Sequence, residues 1–308
     1  VIKSVYLQHI QEINLQDELT LDFHDELIKA MVYWIEANLS DRLTMEKASK
    51  KTGYSRWYLQ RLFKSKTGYV LGKYIRDRRL TMAAIALRLT DMTILEISDY
   101  FSFDSQQTFT RTFKKNFDET PGNYRRNASW TMNGIMPPLA LKAFPQPEYE
   151  FVELPAMAFV GTTETYVYPF DALYNSQYHV HHEALSRYLT TSEALSETVW
   201  GLSDIYPDSD DTMPNALQFK YTVGQQVSLK HRHNIKVPAS KYMKIKYTHE
   251  LSRINDFILY VYSALLPTLD LKFIMQPDLE KFSPELRLNG ITCEYYIPLE
   301  NVNTGRTD

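Results

Sequence analysis

Apolar positions at helical spacing mark out the first half of the chain. Over residues 24–39, Leu27, Ile28, Met31, Val32, Ile35 and Leu39 fall on one side of a helix. Thr44 has the character of an N-cap for a short helix to about residue 52, ended by Gly53. Ser55 caps the next helix, which reaches about residue 68. On it Leu59, Leu62, Phe63 and Lys66 share one face, three of them apolar, and that face is expected to pack inward. Trp57, Gln60, Arg61 and Lys64 share another face. A longer helix is predicted over 71–89. Thr93-x-x-Glu96 reads as a capping box for a short helix to about residue 100, and Phe101-Ser102-Phe103 makes the turn into a helix starting at Ser105. There Phe109, Phe113 and Phe117 face inward, while Gln107, Thr110, Arg111 and Lys114 face outward. Thr120-Pro121 opens a last small helix, with Arg125 and Arg126 behind it.

The pattern then changes. Residues 128–147 read as a linker, with Pro137, Pro138, Pro145, Pro147 and little charge, so few contacts and separable halves are expected. Strands are predicted over 148–160, 198–205, 217–223, 242–247 and 291–297, the last stopped by Pro298. A helix is predicted over 173–189, and Ile254, Phe257, Ile258, Val261, Tyr262 and Leu265 mark a second. Asp208-Ser209-Asp210-Asp211 reads as a polar loop. The expected fold is an all-α double helix-turn-helix domain (24–127) followed by an α+β domain (148–300). The latter is read as two strand-helix-strand repeats forming an antiparallel sheet, with two helices on one face and a cleft on the other. Residues 1–23 are left as an N-terminal extension and 301–308 as a C-terminal tail.

The outward faces of the two capped helices are chemically unusual. A solvated face normally carries mixed charge, yet the first presents an aromatic, an amide and two cations. Arginine suits guanine O6/N7, glutamine suits adenine N6/N7, and a flat apolar group suits the thymine methyl. A glycine-containing turn in front makes this the reading helix of a helix-turn-helix. Arg61-x-Phe63-Lys64 recurs as Arg111-x-Phe113-Lys114, 50 residues on, which points to a duplicated unit. The helix between them would span about 28 Å at 1.5 Å per residue. That is close to the ~34 Å between successive major-groove openings.

At 308 residues with 44% hydrophobic content, the chain has room for two domains. No run of about 18 apolar residues stands ready to span a membrane, and no signal for secretion is read at the start. The single cysteine, Cys293, excludes an internal disulfide and fits a reducing cytoplasm. A net charge of −3 hides an asymmetry: residues 24–127 carry 19 Lys+Arg against 12 Asp+Glu, or +7, and the remainder carries −10. A basic module joined to an acidic one suggests that only the first half touches nucleic acid.

The paired arrays 53–64 and 103–114, with Thr120-Pro121-x-x-Tyr124-Arg125, resemble the AraC/XylS family of bacterial transcription activators. Trp57-x-x-Gln60-Arg61 and Ser105-Gln106-Gln107-Thr108-x-Thr110-Arg111 are most similar to its MarA/SoxS/Rob branch. The resemblance covers about residues 24–127. It implies a monomeric seven-helix domain that binds asymmetric promoter DNA and recruits RNA polymerase. It also implies Trp57, Gln60, Arg61, Gln106, Gln107, Thr110 and Arg111 as base readers, with Lys64 and Lys114 beside them. Many members have glycine where this chain has Ser102; a serine held at positive φ there would be strained.

In the second half, 14 of the 22 tyrosines lie at or after Glu148, with Trp200 among them. Aromatic walls around a carboxylate suit apolar or cationic ligands. Glu294 sits mid-strand, pointing opposite to Cys293, Tyr295 and Ile297, and is either a paired or edge-exposed glutamate or a ligand-facing one. Trp200-Gly201-Leu202, Tyr242-Met243-Lys244 and Glu294-x-x-Ile297-Pro298 resemble the GyrI-like small-molecule-binding domain over about 148–300. That resemblance implies a cleft in which Glu294, with Trp200 and Tyr296, meets a small amphipathic or cationic ligand. Most AraC relatives place the sensor first, whereas here it comes second. His179, His181, His182 and Glu183, with His231 and His233, are weighed as metal ligands, but no cysteine joins them and no metal is expected. No nucleophilic triad or glycine-rich phosphate loop is read, so neither catalytic residues nor a cofactor are expected. The leading expectation is a cytoplasmic, nucleoid-associated, ligand-responsive transcription activator. A DNA-anchored GyrI-like hydrolase or sequestering protein, and a non-specific chromosome binder, are the alternatives.

Overall fold

Local capping fixes the helices of the first half. Thr44, Ser55, Ser105 and Thr120 each accept a hydrogen bond from the backbone N–H three residues on, each such cap contributing about 1 kcal/mol. Thr93 and Glu96 form both arms of a capping box. In the computed structural model, which describes residues 23–139, 146–170, 180–191, 198–208, 213, 215–232, 235–283 and 291–300, seven helices follow one another. They are α1 (Phe23–Glu36), α2 (Met45–Thr52), α3 (Arg56–Thr67), α4 (Leu71–Leu89), α5 (Ile94–Tyr100), α6 (Gln106–Phe117) and α7 (Pro121–Arg126). Their core joins Ile28, Met31 and Ile35 to Leu59, Phe63, Tyr74, Phe109, Phe113 and Tyr124.

Helix α4 is the hub. Twelve of its 19 residues are buried, more than one apolar stripe requires, because it is covered on several sides. Small residues (Ala83, Ala84, Ala86) let its neighbours approach closely. Arg78, wholly buried, grips the Glu36 carboxylate of α1 through Nε (3.0 Å to each oxygen) and a terminal nitrogen (2.7 Å). Its other terminal nitrogen donates to the Met136 carbonyl at 2.5 Å.

The second half is an antiparallel sheet with helices. Its strands are β1 (Ser129–Thr131), β2 (Tyr149–Leu154), β3 (Met157–Pro169), β4 (Val199–Pro207), β5 (Ala216–Val227), β6 (Ile235–Val237), β7 (Ser240–His249), β8 (Lys272–Ile274), β9 (Asp278–Phe282) and β10 (Ile291–Leu299). The order is β1-β8-β10-β9-β4-β5-β3-β6, with β7 also on β10 and β2 on β7. Helix α8 (Val180–Thr191) follows β3, and α9 (Ile254–Tyr260) follows β7, continuing through a π turn (Val261–Leu265) into a 3-10 turn (Leu266–Thr268). Strand alternation divides the core. Met243, Ile245, Cys293, Tyr295 and Ile297 pack with Leu185, Ile254, Phe257 and Val261 from the helices. The opposite face gathers Phe159, Trp200, Leu202, Tyr242, Leu279 and Tyr296.

Several expectations need correction. The strand predicted over 148–160 is two strands, broken where Pro155 cannot donate to a ladder. Strand β10 runs through Pro298, which faces Tyr242. Its other flank is between partners there, since β9 pairs only as far as Tyr296 and β8 is met at Leu299. Helix α8 begins at Val180; residues 173–179, and 209–211 of the polar loop, lie outside the described residues.

The proline-rich segment is not a free tether. β1 pairs with β8, and Met132 and Pro138 are buried. The Met136 and Leu139 amides donate to Thr81 Oγ1 (2.8 Å) and the Tyr74 hydroxyl (3.1 Å). Phe170, Leu217 and Phe219 join the helical core directly. Proline removes regular structure, but it does not remove contacts, so separability of the halves does not follow from composition.

Candidate nucleic-acid interface and aromatic cleft

The turn before α3 ends in Gly53, whose φ of 78° suits a residue without Cβ. It aims a helix with two unlike faces. Leu59 and Phe63 are fully buried, whereas Gln60, Arg61 and Lys64 are exposed, and Trp57 is 66% exposed. A tryptophan exposed to that degree buries little of its apolar surface within the chain. The Arg61 guanidinium lies over its ring at 5.4 Å, so the two form one platform. Lys66, placed by spacing on the inward face, instead pairs with Asp25 of α1 at 2.7 Å, at the rim.

Helix α6 repeats the arrangement. Phe109 and Phe113 are buried, Gln106, Gln107, Arg111 and Lys114 are exposed, and Thr110 is half-buried. The turn before it contains the left-handed serine: Ser102 has φ 55°, which costs about 1–2 kcal/mol without glycine. Its Oγ donates to the Ser40 carbonyl at 3.0 Å. Its own N–H reaches Asp99 O (2.9 Å), and the Phe103 N–H reaches Ser98 O (3.0 Å). The conformation is thus held by a side-chain tether that glycine would lack.

Behind both readers, arginines serve as internal braces. Arg88 of α4 donates to the carbonyls of Tyr124 (2.8 Å) and Asn127 (2.8 Å), at the end of α7, and lies over the Trp130 ring at 4.9 Å. Arg125 reaches Leu87 O (3.1 Å) and Met92 O (2.5 Å). Basic residues in this half thus include exposed ones on α3 and α6 and half-buried ones, Arg88 and Arg125, that fix the helices.

On the sheet face away from α8 and α9, the Trp200 and Tyr296 rings stack at 6.0 Å, and Phe159 and Tyr242 close around them. The three expected ligand residues do come together, since the Tyr296 hydroxyl donates to Glu294 at 2.9 Å. Glu294 is also paired: Lys281 stands 3.3 Å away on β9 and Lys244 3.4 Å away on β7. Burial works against its charge, yet the hydrogen bonds from Tyr296 and Lys281 and the two ammoniums hold its carboxyl below the usual range. Lys244 is shared with Glu150, and that hydrogen bond raises its own pKa. Spacing does not name these lysines as the partners of Glu294, because register brings them to it. Of the weighed metal set, residues 179 and 233 lie outside the described residues, as do the side chains of 181 and 182. Among the described residues no group of three or more His, Cys, Asp or Glu is placed to hold a metal ion, and no helix is long and apolar enough to cross a membrane.

Comparison with known proteins accounts for both halves. Residues 48–127 match a helix-turn-helix domain family and 147–300 match the GyrI-like small molecule binding domain. The chain is 33% identical over 282 residues to the transcriptional regulator Rob of Salmonella typhimurium, covering 89% of this chain and 98% of that protein. The same figures hold for the right origin-binding protein of Escherichia coli. The regulatory protein SoxS of Escherichia coli is 44% identical over 102 residues, which is 33% of this chain and 95% of SoxS. The chain belongs to the Rob-like AraC-family transcriptional regulators, in which a helix-turn-helix half precedes a GyrI-like small molecule binding domain.

Proposed function

We propose that the chain is a ligand-responsive bacterial transcription activator that places α3 and α6 in successive major-groove turns of an asymmetric promoter site. The carrying observation is the doubled face: two capped helices, 50 residues apart, each with buried apolar side chains beneath exposed amides and cations. The base readers are Trp57, Gln60, Arg61, Gln106, Gln107, Thr110 and Arg111, with Lys64 and Lys114 on phosphate. That SoxS is hardly longer than the matched 102 residues supports a self-contained DNA-binding unit, placed near 24–127; its partner is RNA polymerase and it acts on DNA as a monomer. The sensor occupies about 148–300, built as two strand-helix-strand units. The working compartment is the cytoplasm, on the nucleoid, and no catalysis is involved.

Genome-wide DNA capture with the purified full chain tests this. A sharp asymmetric motif is expected, and capture without sequence preference would overturn it in favour of a general chromosome binder. Within that assay, Lys64→Ala weakens all sequences alike and makes the salt dependence shallower by about one phosphate contact. A loss confined to the best site would instead make Lys64 a base reader.

The sensor's ligand is a small amphipathic compound held at Glu294, Trp200 and Tyr296. Because Lys244 and Lys281 already face Glu294, a cationic ligand must compete with two ammoniums. Glu294→Gln keeps the shape but leaves those lysines uncompensated. Binding of the lipophilic cation tetraphenylphosphonium should weaken about tenfold, and binding of decanoate should strengthen. Calorimetry giving unchanged affinities for both would make Glu294 a structural residue. Turnover of simple aryl esters lost in Glu294→Ala would favour the hydrolytic alternative.

A further inference from the structure

We propose that the seam between the two halves is a second ligand site, selective for compact uncharged amphiphiles. A cavity of about 350 Å³ lies there, within the range of small-molecule sites. One wall is α4, through Thr81, Ile85 and Leu89; another is α9 and its π turn; Tyr295 and Ile297 of the sheet form part of the floor. These two residues alternate with Glu294 and Tyr296 along β10, so the cavity and the aromatic cleft open on opposite faces of the sheet. The site stands independently of the cleft reading.

Three features of the wall set the chemistry of an occupant. It is mostly apolar, which suits an apolar body. Among the described residues it includes Asp204 and Asp278 but no Lys, Arg or His, so an anion would enter without a countercharge. Asp278 already accepts hydrogen bonds from the Tyr262 and Tyr295 hydroxyls, 2.5 Å each. Finally, Asn255 Nδ2 and Oδ1, Gln276 Oε1 and Trp130 Nε1 are buried with no hydrogen-bond partner among the described residues. Buried polar atoms are nearly always partnered, and here two donors and two acceptors in one wall are not. These atoms lie just beneath the lining, and a turn of the Asn255 or Gln276 amide toward the cavity gives capacity for a ligand carrying an amide, hydroxyl or aryl N–H on an apolar frame. The helix alongside departs to π geometry over Val261–Leu265, carrying Tyr262 and Ser263 into the wall; such turns recur at functional sites.

The position gives the site a consequence. An occupant touches α4, which spaces the two reader helices, and Trp130, which lies against the Arg88 brace of α7. Any difference it makes to DNA affinity is mirrored in its own affinity on DNA.

N-phenyl-1-naphthylamine, an uncharged aromatic frame with one N–H, is a suitable fluorescent probe for the full chain. Saturable one-to-one binding is expected, and 8-anilino-1-naphthalenesulfonate, the same frame with a sulfonate, should not displace it. Ile85→Trp, which fills the cavity, should weaken the probe at least tenfold. Asn255→Leu, nearly isosteric, should weaken it about three- to tenfold, the value of one hydrogen bond, with an unchanged circular dichroism spectrum. If Ile85→Trp does not fold, Asn255→Leu carries the test alone. The proposal is overturned by an absence of saturable binding to the wild type, by displacement with the sulfonate, or by wild-type affinity in the folded cavity variants, which would place the probe elsewhere on the chain.

Discussion

Arg78→Met should lower the stability of the full chain by about 3–5 kcal/mol, the cost of leaving one member of a buried ion pair alone. Arg78 is wholly inaccessible and makes three contacts within 3.0 Å to Glu36, whose side chain is only 10% exposed. Methionine fills much of the volume, so packing loss is a minor part of the effect. What remains, among the described residues, is a carboxylate held by the Tyr74 hydroxyl (2.5 Å). Burial, then the Glu36 charge, push the Tyr74 hydroxyl well above the tyrosine range, so it stays a neutral donor and supplies no charge to replace the guanidinium. The Met136 carbonyl loses its donor as well, which loosens the segment that ties the helices to the sheet. The check is a pair of denaturant titrations. Arg78→Met combined with Glu36→Leu should recover most of the loss, because replacing both charges removes the stranded one. A loss below about 1 kcal/mol in the single variant would mean that water reaches Glu36 and that the pair is not a true brace.

The brace also illustrates which parts of the molecule were legible in the sequence. Capping and helical periodicity are local, and they place α2 to α7 within a residue or two because each signal is answered within one turn. Glu36 and Arg78 lie 42 positions apart, and nothing in the spacing of either reveals that they meet. The same holds for Ser102. Its departure from glycine reads as strain, but the Ser40 carbonyl that holds it lies 62 residues away. For Glu294, alternation gives the face of the strand correctly and is silent on neighbours. Lys281 stands opposite only because β9 pairs with β10 in one particular register, and a slip of one residue would bring another side chain there. The proline-rich segment misled for a related reason: composition reports the lack of regular structure, while Met132 and the amides of Met136 and Leu139 find partners on distant elements. The seam cavity needs both halves to exist at all, and no single stretch of sequence carries it.

The pair Arg61→Ala and Arg111→Ala, made together, should cost about 2–6 kcal/mol on the best DNA site, the sum of two base contacts at about 1–3 each. Addition is justified by distance. The two arginines stand on α3 and α6, joined through a helix whose 19 residues span about 28 Å, too far for shared contacts, and well-separated positions add. Random DNA should lose much less, because removing two of many cations affects only the charge term. The two single variants are not equivalent. Arg61 rests over Trp57, so its removal also frees an aromatic side chain that is held in place before DNA arrives, and its cost should fall toward the upper end. Arg111 has the half-buried Thr110 beside it, and its helix enters through the strained Ser102 turn, so its cost reports whether α6 docks fully. Competition binding on the captured motif, with each single and the double variant, resolves the three cases. Additive losses larger on the motif than on random DNA mean that both helices read bases. A double variant no weaker than Arg61→Ala would mean that α6 touches only the backbone. Equal losses on motif and random DNA would remove both arginines from the set of base readers.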